Sequence, residues 1–294
     1  MKGFKNIFNE CQIAMLLALC VGGFSACGDD ADENSQPSLP TFEEVCAKYV
    51  ATDEAELIKI VELTPDAHFI VAAADGDEPG IVRYGSYSIL AEDKFQLNGY
   101  GSLEVKSLGT DTYALTVTPT DGNAIQLRTS KRKAIEGGTL TDRLVGAWQT
   151  TALKVQLERN GSTFIKTFKA TEMEELEKEL RSWAQQFATE VTATQVNSEV
   201  KWLMEAYRTS FTSFVFTRFG TYLVMNEKGS ECVWWQWEDE SQGLLRFFWV
   251  EGDMYDKEES GVARIGYADG SLTVTQDFKG YFTETLTNFC EVMK

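Results

Sequence analysis

The sequence predicts a mainly β fold of the α+β class, made of antiparallel strands with one helical insertion. Short runs of β-branched and aromatic residues recur along most of the chain, and turn dipeptides such as Asn98-Gly99 and Asp121-Gly122 separate them. One stretch, residues 171–209, instead repeats apolar residues at helical spacing. Strands at such short, regular intervals favour a meander that closes into a barrel.

The first group of strands is expected within residues 41–133. Thr41 and Glu44 form a capping-box pattern, which predicts a short helix that continues to about Tyr49. Seven strands are predicted after it, at residues 61–63, 68–72, 81–90, 95–97, 102–107, 113–118 and 124–128. The basic run 131–133 and the glycine pair 137–138 then predict a solvated linker, with a functional basic patch as the alternative interpretation.

The second group of strands is expected within residues 140–294. Strands are predicted at residues 144–153 and 164–168, and again from Ser213 to Thr287. Between them, the insertion 171–209 contains two predicted helices. The first carries the apolar stripe Met173, Leu176, Leu180, Trp183 and Phe187, and the second, at 198–207, is expected to bury Trp202, Leu203 and Tyr207. These stripes are most simply core contacts.

Two short segments of the first group are repeated in the second. Residues 64–71 (TPDAHFIV) align with residues 217–224 (TRFGTYLV), and residues 115–118 align with residues 272–275. The order of the two matches along the chain is preserved. The repetition therefore predicts two related β units, of which the first is the smaller.

The beginning of the chain has the pattern of a secretory leader. Lys2 and Lys5 precede an apolar centre that is too short to span a membrane, and residues 1–26 are expected to be removed. The sequence Ser25-Ala26-Cys27 resembles the lipobox of bacterial lipoproteins, although Phe24 replaces the usual leucine. The resemblance implies that Cys27 carries lipid. An ordinary secretory cleavage is the alternative, but the bulky Phe24 suits it poorly.

The acidic segment after Cys27 indicates where the protein resides. Residues 27–40 are rich in Asp, Ser, Gln and Pro, so they are expected to form a disordered tether. The acid cluster resembles the export signal that sends lipoproteins of Bacteroidetes-type bacteria to the outer face of the outer membrane. The resemblance implies an outer-membrane protein exposed on the cell surface. A periplasm-facing position is the second choice, because any tether can carry a charged, solvated spacer.

Composition excludes several classes of function. The net charge of −18 repels phosphate backbones, so nucleic acid is not expected as a partner. His68 is the only histidine, which leaves triad chemistry and histidine-based zinc sites without ligands. After lipidation of Cys27, three cysteines remain (Cys46, Cys232 and Cys290), so at most one intrachain disulfide can form, and small buried hydrophobes are the favoured interpretation.

The second group of strands resembles the lipocalin-like lipoproteins common in gut Bacteroidetes. The resemblance rests on Gly146-x-Trp148, on residues 216–222 (FTRFGTY), and on the closing residues 269–274 (DGSLTV). It implies an antiparallel lipocalin-like barrel over about residues 144–287, with a fainter copy at 61–129. The helical insertion departs from a plain lipocalin. The resemblance implies a fold far more than a function.

The densest aromatic segments predict a hairpin that is the candidate binding surface. Residues 233–237 (VWWQW) and 245–249 (LRFFW) flank a turn at 241–243. The candidate ligand-binding residues are Trp234, Trp235, Gln236, Trp237, Arg246, Phe247 and Trp249. Alternation puts Trp235 and Trp237 on one face and Trp234 and Gln236 on the other, so both faces carry aromatic rings.

Three explanations for this two-faced hairpin remain open at the level of sequence. The helix at 173–187 covers the second face, or that face lines a barrel cavity for an apolar ligand, or it offers stacking rings for a glycan.

Catalysis has no positive support in the sequence. Acids cluster at 238–240, at Glu251 with Asp253, and at 256–259, but a chain with 45 acidic residues produces such pairs by chance. No EF-hand loop, nucleophile elbow or phosphate loop is present, and we expect no metal and no cofactor. The sequence thus predicts a non-catalytic, lipid-anchored surface protein that binds an apolar small molecule or a glycan. The alternative is a structural or assembly subunit of an outer-membrane surface complex without a ligand of its own.

Overall fold

Most of the chain forms antiparallel strands arranged in two successive barrels, which confirms the predicted fold class. The structure is a computed structural model that describes residues 39–53, 57–73, 82–188, 192–226, 229–248, 261–268 and 270–293. The predicted leader, Cys27 and the tether up to residue 38 lie outside the described residues, as do Trp249 and the acids of 251–260.

The first barrel follows a short helix, α1 (Phe42–Val45). Its strands are β1 (Ala47–Ala51), β2 (Ile58–Leu63), β3 (His68–Ala73), β4 (Val82–Ala91), β5 (Lys94–Leu97), β6 (Gly101–Gly109), β7 (Thr112–Pro119) and β8 (Ile125–Arg132). Each strand pairs with the next, and β1 pairs with β8 to close the barrel. Side chains such as Phe69, Tyr87, Leu103 and Leu115 fill the interior.

Two predictions at the ends of this barrel are wrong. The capping box of Thr41 and Glu44 is present, but the helix stops at Val45 and does not reach Tyr49. Tyr49 belongs to β1, because residues 47–51 supply the strand that joins β2 to β8. Lys131 and Arg132 pair with β1 for the same reason, so the basic run is mainly strand and not linker.

The second barrel follows helix α2 (Thr139–Leu144). Its strands are β9 (Gly146–Arg159), β10 (Ser162–Phe168), β11 (Ser213–Phe216), β12 (Thr221–Asn226), β13 (Gly229–Asp239), β14 (Leu244–Phe248), β15 (Gly261–Ala268), β16 (Ser271–Lys279) and β17 (Thr283–Val292). The long β9 pairs with β11 and then β10 along one edge and with β17 along the other. Eight strands therefore close a barrel, and β10 extends it.

The two barrels repeat the same local structure at the aligned segments. The first match opens β3 and β12, and the second lies in β7 and β16, which occupy the same place in each barrel. Ala67 (φ +64°) and Gly220 (φ +80°) both adopt the left-handed conformation in the turn. The Ala67 carbonyl accepts from the Tyr87 amide, and the Gly220 carbonyl accepts from the Trp235 amide, each at 2.8 Å.

A further pair of equivalent hydrogen bonds joins the turn between the fourth and fifth strands to the sixth strand of each barrel. The Val105 amide of β6 donates to the Asp93 carbonyl at 2.9 Å, and the Ile265 amide of β15 donates to the Gly243 carbonyl at 2.7 Å. In both barrels the accepting residue lies in the turn between the fourth and fifth strands. Equivalent backbone bonds at equivalent turns support the prediction of two related β units.

The helical insertion packs against the faces of β9 and β17 that continue the interior of the second barrel. It consists of α3 (Met173–Ala184) and α4 (Ala193–Ser210), whose buried residues contact Leu153, Val155 and Leu157 of β9. Leu286 belongs to the same cluster and lies on the same face of β17 as Cys290, which points into the barrel. The helices therefore cover one end of the second barrel.

The expected burial of Trp202 is wrong. Leu203 and Tyr207 are buried, whereas Trp202 is 61% exposed. The apolar stripe of α4 runs through Val196, Val200, Leu203 and Tyr207, at steps of four, three and four residues. Because successive helical residues are about 100° apart, Trp202 lies off this stripe.

The barrels contact each other through their outer faces. Ile70 of β3 packs with Val215 of β11 and Leu223 of β12 in one apolar cluster. Ile70 and Leu223 occupy the same position in the aligned segments. The contact is thus made by equivalent strands of the two units.

The repeated left-handed turn supplies a matched pair of substitutions. Gly220→Ala places a Cβ atom 3.0 Å from the Trp235 carbonyl at φ +80°, and we expect a loss of about 1–2 kcal/mol in the free energy of unfolding. Ala67→Gly removes the left-handed strain, and its gain is limited to about 1 kcal/mol because glycine is more flexible when unfolded. Urea unfolding of both variants tests this expectation. If the free energy of unfolding changes in the same direction in both variants, the expectation is contradicted.

The buried Glu284 predicts a pH-dependent stability. Burial raises the pKa of the Glu284 carboxyl above its usual 4.5, and the Tyr207 hydroxyl beside it opposes the shift. The stabilisation by the neutral carboxyl is fully present below the ordinary pKa and is lost as the pH rises through the raised pKa. The Glu284→Gln variant stays neutral, so its stability relative to the parent increases as the pH rises from the ordinary pKa of 4.5 through the raised pKa of Glu284. The free energy of unfolding of the parent and the variant is measured by urea titration at several pH values. A difference between them that does not change with pH would contradict this expectation.

Candidate functional site

The predicted aromatic hairpin is formed by β13 and β14. Trp235 lies opposite Phe247, and Gln236 lies opposite Arg246. Trp235, Trp237 and Phe247 point into the second barrel, and the alternate residues point outward. The two-faced arrangement expected from the sequence is therefore confirmed for the described part of the hairpin. Trp249, the remaining candidate, lies outside the described residues.

Tightly packed rings occupy the inner face of the hairpin. Trp235 is 2% exposed and Phe247 is 6% exposed. The Trp235 ring lies 5.7 Å from the Phe216 ring, and the Phe247 ring lies 4.9 Å from the Tyr222 ring, measured between centroids. The low exposure and short ring separations show that these side chains pack against one another as in a protein core.

Helix α2 lies across the end of the barrel where Trp237 is found. The Trp237 indole N–H donates to the Thr141 hydroxyl at 2.7 Å, and Leu140 and Leu144 pack with the barrel interior. The Glu240 carboxylate accepts from the amides of Gly138 at 2.7 Å and Thr141 at 2.8 Å. It thereby satisfies free N–H groups at the start of α2. Trp237 is therefore fixed by its own chain.

Trp234 on the outer face is covered by the first barrel. The Lys48 ammonium nitrogen lies 3.0 Å from the centroid of the Trp234 ring, in a cation–π contact. Coverage of Trp234 by the helix at 173–187 is wrong: β1 makes the contact, and Trp234 stays partly exposed. The helix at 173–187 packs elsewhere, against β9, β10 and β17.

Lys48 belongs to a buried polar cluster between the barrels. Lys48 and Glu62 face each other across β1 and β2, with 4.0 Å between ammonium nitrogen and carboxylate oxygen, and both side chains are fully buried. The Thr221 hydroxyl accepts from Lys48 at 2.6 Å and donates to Glu62. The Phe219 carbonyl lies 3.5 Å from the ammonium nitrogen. Burial raises the pKa of the Glu62 carboxyl, and the Lys48 ammonium opposes this shift.

The sequence interpretation missed this cluster. Lys48 and Glu62 lie within otherwise apolar strands, AKYVA and IKIVEL. That pattern is also typical of a solvated face of an antiparallel sheet. A charged residue in an apolar strand was thus the available signal, but it did not distinguish a buried pair from an exposed one.

The remaining outer-face candidates lie in a polar environment. Gln236 is exposed, and Arg246 is half-buried. The Arg246 guanidinium donates to the Glu238 carboxylate at 2.6 Å. These residues form a solvated face and do not converge with the tryptophans on one surface.

The acids at 238–240 have local structural roles. Glu238 pairs with Arg246, and Glu240 caps α2. Asp239 accepts from the Ser241 hydroxyl at 2.7 Å and from the Gln242 amide at 3.3 Å, and these hydrogen bonds lower the pKa of its carboxyl. Within the described residues, no group of three or more His, Cys, Asp or Glu side chains is arranged to hold a metal ion. Cys46 and Cys290 are free thiols within the described part of the chain.

A polar pocket of about 350 Å³ lies at the turns that join β9 to β10 and β16 to β17. Its walls include Glu158, Arg159, Asn160, Thr163, Tyr281 and Thr283. The Arg159 guanidinium lies 3.7 Å from the Tyr281 ring centroid and donates to the Tyr281 carbonyl at 2.6 Å. This lining suits a hydrophilic ligand better than an apolar one.

Comparisons with known proteins add little to these observations. No family model matches the chain, and no curated protein matches it. The chain is similar to a solved structure from Nostoc punctiforme, a protein of unknown function from the DUF3598 family. The two share 7% sequence identity over 84% of this chain and 94% of the other, with a TM-score of 0.20. In the part of the chain that the structure describes, no helix combines the length and apolar character needed to cross a membrane.

The buried pair predicts unequal effects of single and double substitutions. Lys48→Met leaves the Glu62 carboxylate buried without its cation, and we expect a loss of about 3–5 kcal/mol in the free energy of unfolding. The double variant Lys48→Met with Glu62→Leu removes both charges and is expected to recover most of that loss. Urea unfolding of the two variants measures the difference. Equal losses in both would contradict the expected charge compensation.

Proposed function

We propose that this protein is a non-catalytic, lipid-anchored component of an outer-membrane surface complex, and that it acts by contacting other proteins. The observation that carries the proposal is the coverage of the aromatic hairpin by its own chain. Trp235 and Phe247 are packed inside the barrel, Trp237 is bound to α2, and Trp234 lies under Lys48.

This coverage favours the assembly role over binding of an apolar small molecule. A lipocalin-type ligand needs a cavity, and small-molecule sites are usually preformed clefts of about 300–1,000 Å³. The rings at the level of Trp235 pack against one another, and helices lie across both ends of the barrel. Entry of an apolar ligand would require displacement of α2 or of the α3–α4 pair.

Anchoring is proposed on the pattern around Cys27 and the acid-rich residues after it. Several acyl chains on one cysteine hold a soluble domain firmly to a membrane, since each buried CH₂ contributes about 0.8 kcal/mol. We place the barrels on the outer face of the outer membrane, with the periplasmic face as the second choice.

Glycan binding is the second candidate function, and the polar pocket near Arg159 favours it. Hydroxyl, amide and carboxylate groups line that pocket, together with one tyrosine ring. Sugars require such a mixture of hydrogen-bond donors and acceptors. This site differs from the hairpin expected from the sequence.

The assembly role predicts stable partners at the membrane. The wild-type lipoprotein, isolated from outer membranes through a C-terminal tag after mild cross-linking, is expected to retain the same partner proteins in fixed ratio. A Cys27→Ala chain, which lacks the lipidated residue, serves as the control and is expected to lose both the partners and the membrane association. Recovery of the lipoprotein alone would count against an assembly role.

A ligand screen separates the assembly role from the two binding functions. Tryptophan fluorescence is recorded with fatty acids, bile acids and polysaccharides, using Trp235→Phe as the control for the barrel interior. We expect no saturable change with the apolar ligands, because the Trp235 ring is enclosed by neighbouring rings. A saturable change that the Trp235→Phe variant loses would favour an apolar ligand. A change with polysaccharide that Arg159→Ala abolishes would favour the glycan alternative.

A further inference from the structure

The outer faces through which the barrels meet are equivalent in position but differ in charge. When the aligned segments are extended by two residues, Glu62 of β2 corresponds to Val215 of β11, since each lies two residues before the threonine that both segments share. Lys48 lies opposite Glu62 in the first barrel, and Ala147 lies opposite Val215 in the second. The second barrel thus has two small apolar residues where the first has an ion pair.

The groups that receive the ion pair all come from the second barrel. Thr221 supplies a hydroxyl, Phe219 a carbonyl and Trp234 the face of a ring. The first barrel has different groups at two of the equivalent positions: His68 corresponds to Thr221, and Ser86 corresponds to Trp234. A first-barrel face therefore lacks both the threonine hydroxyl and the ring that surround Lys48.

From this difference we infer that the Lys48–Glu62 pair selects a single docking arrangement of the two barrels. The rest of the contact is apolar, formed by residues such as Ile70, Val215 and Leu223. Apolar contacts are not directional, so related faces of this kind tolerate sliding and rotation. The buried pair favours one arrangement, because another buried docking desolvates both charges without the Thr221 hydroxyl and the Trp234 ring.

Selection of one arrangement by a buried ion pair has a cost in stability. A buried ion pair adds little to stability compared with well-packed apolar residues of similar volume. The pair is therefore a device for specificity: it excludes alternative dockings within the chain and pairing with a like barrel of another copy. The proposal does not depend on the function proposed above.

The test replaces the pair by the residues that the second barrel has at the same positions. The full chain is made with Lys48→Ala and Glu62→Val. Genetically encoded spin labels replace the exposed Lys106 and Lys279, and the distance between them is measured by pulsed electron paramagnetic resonance. Lys106 lies on the first barrel and Lys279 on the second. The parent is expected to give one narrow distance. The variant is expected to give a broadened or second distance, or a dimer by light scattering.

A control variant and a second double variant make the test decisive. Ile70→Leu with Leu223→Ile alters the same interface without a change in charge, and it is expected to keep the narrow distance. A narrow, unchanged distance in a monomeric Lys48→Ala, Glu62→Val chain would overturn the proposal, as would equal broadening in the control. If that chain does not fold, Lys48→Met with Glu62→Leu replaces it. Failure of both to fold also overturns the proposal, since it would make the pair necessary for folding.

Discussion

A buried ammonium group between two barrels is the constraint on which the rest of the structure depends. Lys48 has no access to water, so the protein must supply its solvation. It does so with Glu62 from the same barrel and with Thr221 and Trp234 from the other. This requirement joins the barrels in one arrangement. The contact with Lys48 also occupies the ring of Trp234 on the outer face of the aromatic hairpin. Without this contact, that face would be the obvious binding surface.

The two barrels share the same turn structure but differ in the elements that are added to it. Both use a left-handed residue in the turn before the third strand, and in both its carbonyl accepts an amide from the fourth strand. The second barrel adds β10 and two helices, which cover the inner face of β9 and β17. With one end covered by these helices and the other by α2, its interior became core. The contacts with other molecules that we propose therefore involve its outer surface or the polar pocket near Arg159.

Local patterns predicted the strands well and failed where a distant segment decided the outcome. Alternation and turn dipeptides gave all seven predicted strands of the first barrel, since both are properties of neighbouring residues. Tyr49 was assigned to a helix because its pairing with β2 and β8 is not visible locally. The sequence predicts burial of Trp202 together with Leu203 and Tyr207, yet which face of a helix is buried is set by what packs against it.

The sequence by itself determined that the hairpin carries aromatic rings on both faces, because the side chains of a strand alternate whatever surrounds it. It also determined the duplication, through two aligned segments in the same order. Only the tertiary structure decided what covers each face. Lys48 reaches Thr221 across 173 positions of the chain, and that contact exists only once both barrels have closed and docked. Composition and periodicity carry no information about such a contact, so Trp235, Trp237 and Phe247 belong to the core and Trp234 to the contact between barrels.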